Sequence, residues 1–189
     1  MNGITMNYNK LSDTIYADLE SAVAEILNPE IDPEIRRYNL EILLREVGDK
    51  VYYVVYDMAA YDMLIEYTEG MGINDAYYGL AKNLSDSIST GGKSYVKAQL
   101  QEWLDNQILK AMHDSYQTAW DAGQHPVLVR TEPANCCDWC RHLVGTYVDP
   151  AQHAEIWMRH DNCRGSIEVS GYRSRNGLLQ AHGHSFRKD

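Results

Sequence analysis

All four cysteines of this 189-residue chain fall in two short clusters, Asn135-Cys-Cys-Asp-Trp-Cys140 and His160-Asp-Asn-Cys163. Cys137 and Cys140 form a C-x-x-C pair, and His160 and Cys163 form an H-x-x-C pair further along the chain. Each pair offers two ligands from one tight turn. Two such pairs make the tetrahedral set that zinc takes in structural sites. The expected ligands are therefore Cys137, Cys140, His160 and Cys163. Four protein ligands fill the coordination sphere, which points to a structural rather than a catalytic ion. The constraint on the fold is strong, because a module of about 50 residues is too small to be held by a core of its own. Cys136 is an alternative to Cys137 in a C-x-x-x-C arrangement. The C-x-x-C spacing is commoner, so Cys136 is expected outside the ligand set.

Redox context bears on this reading. Met1 to Lys10 lacks a basic flank followed by an apolar run, so no secretory signal is expected. Without one, reduced thiols binding metal are expected ahead of the alternative, two disulfides. No run of about 18 apolar residues occurs, so no membrane span is expected.

Upstream of the cysteines the sequence reads as helix. Ile15, Leu19, Ala22, Val23 and Ile26 recur at helical spacing and predict a first helix over 12–27, ended by Asn28-Pro29. Asp32-Pro33-Glu34 has the residue order of a helix start: a cap, a first-turn proline and an acid at the positive end of the dipole. Gly48 is the expected stop. Val51 to Tyr67 is ambiguous, since Val51–Tyr56 has strand propensity. The 3–4 spacing of Tyr52, Val55, Tyr56, Ala59, Met63 and Tyr67 favours helix. A short helix capped by Asn74 is expected to reach Ser87, followed by a break at Ser89–Gly92. The longest helix is expected from Lys93 to Ala122, about 45 Å long at 1.5 Å per residue, and stopped by Gly123.

Three short strands are expected beyond it: Val127–Arg130, His142–Tyr147 turning at Gly145, and Ser166–Val169. A short helix from Asp149-Pro150 to Trp157 stands between the second and third. The fold class is thus mainly α, a helical body whose long helix leads into a small β-containing Cys3His zinc knuckle. The expected divisions are a body at 1–124, the knuckle module at 125–171 and a loosely ordered basic tail at 172–189.

Charge is uneven. Residues 1–140 carry 10 basic and 22 acidic side chains, whereas 141–189 carry 7 and 5. The acidic body would repel nucleic acid. The tail, with Arg173, Arg175, Arg187 and Lys188, permits weak DNA contact, though a solvated terminus is the simpler expectation. Fourteen tyrosines against one phenylalanine give many rings with a polar tip, which suits half-exposed or interface positions as well as ordinary helix packing.

No catalytic set is evident, so the chain is not expected to be an enzyme. The alternative is a zinc-dependent nucleic-acid enzyme, a nuclease or a deaminase. His153-Ala-Glu155 with a C-x-x-C pair has the elements of the zinc deaminases. There, however, H-x-E precedes P-C-x-x-C, and here the order is reversed. Two exposed residues on a short helix is the plainer reading. A nuclease would need a catalytic histidine beside the metal, and His160 is already a ligand. His113, His125, His182 and His184 need no functional account.

The stretch 93–168 resembles the phage head morphogenesis family, also called Mu F-like minor head proteins. The resemblance rests on Cys137-Asp-Trp-Cys140-Arg-His-Leu143-Val-Gly145 and His160-Asp-Asn-Cys163-Arg164-Gly165. These follow the family order of a long helix, a short strand, C-x-x-C-x-x-L-x-G and H-P-x-C-R-C. Asp161 stands where proline is usual, and Gly165 where the last cysteine is usual. The resemblance implies a minor capsid protein of a tailed bacteriophage, found in the virion and in the host cytoplasm during assembly. It implies partners among portal and capsid or scaffold proteins, and a role in head assembly or DNA ejection. Some relatives carry an ADP-ribosyltransferase domain, for which this chain has no room.

Overall fold

The computed structural model describes residues 8–63, 72–73, 75–87, 92–148, 154–158, 165–173 and 179–181. The protein is mainly helical. Among the described residues it has helices α1 (Tyr8–Ile26), α2 (Pro33–Asp62), α3 (Ala76–Asp86), α4 (Gly92–Asp121) and the short α5 (Asp138–His142). Strands β1 (Pro126–Thr131), β2 (Gly145–Tyr147), β3 (Ser166–Arg173) and β4 (Leu179–Ala181) accompany them, with a 3-10 turn at Ala154–Trp157. No helix among the described residues is long and apolar enough to cross a membrane.

Local chemistry explains several helix ends. The Asn28 side chain accepts the Glu30 N–H at 3.0 Å, an Asx turn that leads the chain out of α1. Asp32 Oδ1 accepts the Glu34 N–H at 2.8 Å and caps α2. Gly123, at φ 80°, ends α4. Its N–H reaches Trp120 O at 2.9 Å while Gln124 N–H reaches Ala119 O at 2.9 Å, the paired bonds of a Schellman cap. The expected Asn74 cap and, of the expected break at Ser89–Gly92, all but Gly92 lie outside the described residues; Gly92 begins α4, and α3 is preceded by Asp75.

Gly48 does not stop a helix. It lies inside α2, and 51–62 continues that helix, so the helical reading of the ambiguous stretch holds through Asp62. The reason for glycine is tertiary. A Cβ there would stand 3.0 Å from Trp103 Cζ2 and 3.1 Å from Ile73 Cδ1. The missing side chain lets α4 approach α2 closely. Gly48→Val is therefore expected to lower stability by about 2 kcal/mol by overpacking, despite the helix propensity valine adds. Urea unfolding would read this, and a neutral result would mean that Trp103 can move aside.

Helices that follow one another in the chain run in opposite directions. α2 and α4 run the same way: Tyr52 meets Asp114, and four residues on Tyr56 meets Thr118. α1 runs against α4, with Ser12 at Asp105 and Tyr16 beneath Lys97. α3 returns between α2 and α4, its Ser85 Oγ donating to Pro33 O at 3.1 Å. Leu19, Val23, Leu40, Leu44, Val55, Leu84, Leu100 and Leu104 fill the space between them.

The core also holds polar knots. Ser12 Oγ donates to Asp105 Oδ1 at 2.6 Å and accepts from Gln101 Nε2 at 2.6 Å. Tyr52 OH donates to Asp114 Oδ2 at 2.6 Å, and Lys110 Nζ reaches the same oxygen while lying 4.8 Å from the Tyr52 ring centre. Ser115 Oγ donates to Tyr56 O at 3.0 Å. Desolvation pushes the Asp114 carboxyl up. Hydrogen bonds from His113, Lys110 and Tyr52, with the Lys110 charge, outweigh it and hold the carboxyl below its ordinary value.

The sheet is antiparallel with order β2-β1-β3-β4. Leu128 pairs with Tyr147 on one side and Val169 on the other, and a bulge falls between Val127 and Leu128. Leu128, Ile156 and Ile167 belong to the same buried cluster as the helices. Trp157 lies 5.5 Å from Tyr116 and 4.9 Å from His113, so the 3-10 turn rests on the C-terminal half of α4. Three expectations are corrected here. The second strand is only Gly145–Tyr147, because His142 completes α5. The sheet has four strands, not three: β3 continues past Val169 to Arg173 and pairs with β4 in the expected tail. The expected helix from 149 lies outside the described residues up to 153, and 154–157 is a 3-10 turn.

Candidate metal centre

The candidate centre grows from one end of the sheet. Thr131 pairs with Ser166 and Arg130 with Gly145, so the segment 132–144 and the segment entering β3 both leave the same edge of the pairing. Period-two alternation puts Leu128, Arg130 and Glu132 on one face of β1 and its extension. That face is turned into the protein. The side chains of Arg130 and Glu132 are 2% and 1% exposed. Arg130 Nη2 lies 2.7 Å from Glu132 Oε1, and its Nε donates to that oxygen at 2.8 Å. Its Nη1 donates to Ile156 O, and to Met158 O at 3.0 Å. One guanidinium thus ties β1 to the 3-10 turn through the turn's backbone carbonyls.

Glu132 explains Gly165. A Cβ on Gly165 would come within 2.1 Å of Glu132 Oε1 and 2.4 Å of its carboxyl carbon. Position 165 is thus where the ion-paired carboxylate crosses the chain. Gly165→Ala is expected to cost about 2 kcal/mol, since the carboxylate must leave Arg130 or the backbone must shift. Thermal unfolding checks this. A Glu132→Ala background should shrink the cost, because the obstructing group is gone.

After Glu132 the chain turns, with Cys136 N–H donating to Pro133 O at 3.0 Å. Cys137 then caps α5 in an extended conformation, φ −69° and ψ 166°. Its Sγ accepts the Cys140 N–H at 3.4 Å. Arg141 closes the turn, donating to Asp138 Oδ1 at 2.8 Å and to Cys136 O at 3.1 Å. His142 Nδ1 sits 2.6 Å from Asp138 O. Leu143 is buried beneath the turn, and Tyr147 OH donates to its carbonyl at 2.9 Å. Burial raises the Tyr147 phenol, the Arg130 charge opposing and Glu155 reinforcing the shift. The three cysteines differ in setting. Cys140 is 1% exposed, Cys137 is exposed and Cys136 intermediate, and they make no disulfide with one another.

Cys137 and Cys140 suit a metal pair: two sulfurs on one short turn, with a backbone N–H directed at the first, which favours the thiolate a metal requires. His160 and Cys163 lie outside the described residues, as do His153 and Arg164. Among the described residues no three His, Cys, Asp or Glu side chains converge as a metal-binding group. Cys136 therefore does not complete a three-ligand cluster with Cys137 and Cys140. Glu155 sits on the exposed face of the 3-10 turn, and its backbone carbonyl, 3.4 Å away, faces Arg130.

Sequence reasoning passed over Arg130 and Glu132. The signal was present as opposite charges at alternate positions, 130 and 132, following Leu128 on the same face of β1 and its extension. No family profile, curated protein or solved structure matches the chain.

Proposed function

We propose that this chain is a non-enzymatic assembly protein of a tailed-phage head, of the minor capsid class. Its sheet end is held by a structural zinc on Cys137, Cys140, His160 and Cys163. The reading rests first on the motif resemblance. The supporting structural observation is the Thr131–Ser166 pairing, since β3 begins three residues after Cys163 in the sequence and β1 ends six residues before Cys137. The antiparallel register brings the end of β1 and the start of β3 to the same end of the sheet, which supports a shared site for the two motifs. Zinc, when bound, supplies a cross-link between them. The chain's own residues supply the turn that presents Cys137 and Cys140, and the Arg130–Glu132 pair that fixes the strand below it. The acidic helical body would be kept off packaged DNA, which favours contacts with portal and capsid or scaffold proteins.

Metal analysis of protein purified without added metal is expected to give about one zinc per chain, falling several-fold in Cys140→Ser, whereas Cys136→Ser keeps it. Absence of zinc from the wild-type chain would remove the metal half of the proposal. The assembly half predicts co-sedimentation with heads formed by the portal and capsid proteins of the same phage. A chain that stays in the supernatant under those conditions refutes it.

A further inference from the structure

We propose that the cleft between α1 and α2 is a docking groove for a basic amphipathic helix of a partner protein. This inference is independent of the zinc site. The cleft has a volume of about 490 Å³. Leu11, Ile15 and Ala22 form one wall, and Leu43, Val47 and Val54 the other. With Asp18 and Lys50 between them, these positions fall at three-to-four-residue spacing along two adjacent helices. They form a second stripe on each, apolar but for that one charge, beside the one that faces α4. Val54 is 48% exposed, although it stands at helical spacing with Val47 and Val51. From Leu11 to Ala22 the groove runs about 16 Å, which matches three turns of a third helix lying along it.

The rim decides the kind of occupant. Asp18 and Lys50 line the cleft itself. Glu25 lies three residues after Ala22, Glu46 three after Leu43 and Asp57 three after Val54, each on the side of its helix away from the core. All five are exposed. The banks therefore carry four carboxylates and one ammonium around an apolar floor. A helix with one leucine-like face flanked by lysine or arginine complements both features. A second copy of this chain would bring carboxylates against carboxylates through the same face, and an anionic lipid surface would be repelled.

The test uses the full chain and two synthetic helical peptides of about 14 residues with leucine at every third and fourth position, one with lysine and one with glutamate elsewhere. Fluorescence anisotropy is expected to show the Leu/Lys peptide binding at least about tenfold more tightly than the Leu/Glu peptide, with weakening as salt rises. Val54→Asp and the double change Glu46→Lys/Asp57→Lys alter exposed positions, and circular dichroism would verify that both variants fold. Each should weaken the Leu/Lys peptide at least about tenfold. The distant reversal Asp86→Lys/Glu102→Lys should leave its affinity unchanged. Equal loss in that distant variant would mean bulk attraction by an acidic protein and would overturn the proposal. So would a dimer in solution that Val54→Asp dissociates, which would assign the groove to a second copy. Peptide binding that appears only after removal of residues 1–7 would assign it to the chain's own N-terminus.

Discussion

Arg130→Met is expected to lower the free energy of unfolding by about 3–5 kcal/mol, the cost typical of removing one member of a buried ion pair. The side chain it replaces is 2% exposed and holds Glu132, itself 1% exposed. Methionine fills much of the volume but leaves a carboxylate in the interior without its countercharge. It also strips donors from the carbonyls of Ile156 and Met158. Each buried carbonyl left without a partner adds a penalty of its own. Arg130→Lys should recover only part of the loss, because a single ammonium cannot serve the carboxylate and the turn together. The double change Arg130→Met/Glu132→Leu should cost clearly less than the sum of the singles, since no charge is then stranded. Urea denaturation followed by tryptophan fluorescence suits this, as Trp157 sits on the turn that Arg130 anchors. A loss below about 1 kcal/mol would show that the pair is not the fastening between β1 and the turn.

Asp114 carries the second large effect. Asp114→Ala is expected to cost about 3 kcal/mol, by removing the carboxylate that accepts from the Tyr52 hydroxyl inside the α2–α4 interface and the anion beside Lys110. Asp114→Asn should cost closer to about 1 kcal/mol, because an amide oxygen still accepts from Tyr52. The pH dependence separates charge from hydrogen bonding. The folded carboxyl is held below its ordinary value, so the unfolded chain binds the proton first as pH falls. Its contribution is complete above about pH 4, the unfolded value, and is lost as pH drops from there through the lower folded value. Wild-type stability should therefore fall more steeply below about pH 4 than that of Asp114→Asn. Parallel pH profiles would show that the Lys110–Asp114 pairing contributes nothing.

The helical half of the molecule was largely legible because its signals are local. Asp32 caps through its own side chain, Gly123 adopts the left-handed conformation that closes α4, and the Leu19–Val23 stripe faces the core that its period predicts. Gly48 was misread for the complementary reason. A glycine that ends a helix and one that admits a neighbouring tryptophan look alike until Trp103 is in place. In the same way, His142 has strand neighbours in sequence, but the α5 turn carries through it before β2 begins.

At the candidate centre the motif showed where two cysteines are presented. The backbone supplied what a motif does not contain, the Cys137 cap and the common sheet end reached by 132–144 and by the entry to β3. The buried charges were hidden for an energetic reason. Arg130 and Glu132 are inside only because each neutralises the other and the turn at 154–158 offers carbonyls to the guanidinium.

By itself, then, the sequence determined most of the helical segments, the caps at Asp32 and Gly123 and the turn from Cys137 to Cys140, because those depend on residues within a few positions of one another. Tertiary structure alone decided that α2 runs unbroken through Gly48, that Gly165 must lack a side chain, and that the sheet has four strands in the order β2-β1-β3-β4. Each of these is settled by a partner far along the chain: Trp103 for Gly48, Glu132 for Gly165, and β1 for β3. Packing of this kind acts through space, between residues far apart in the chain.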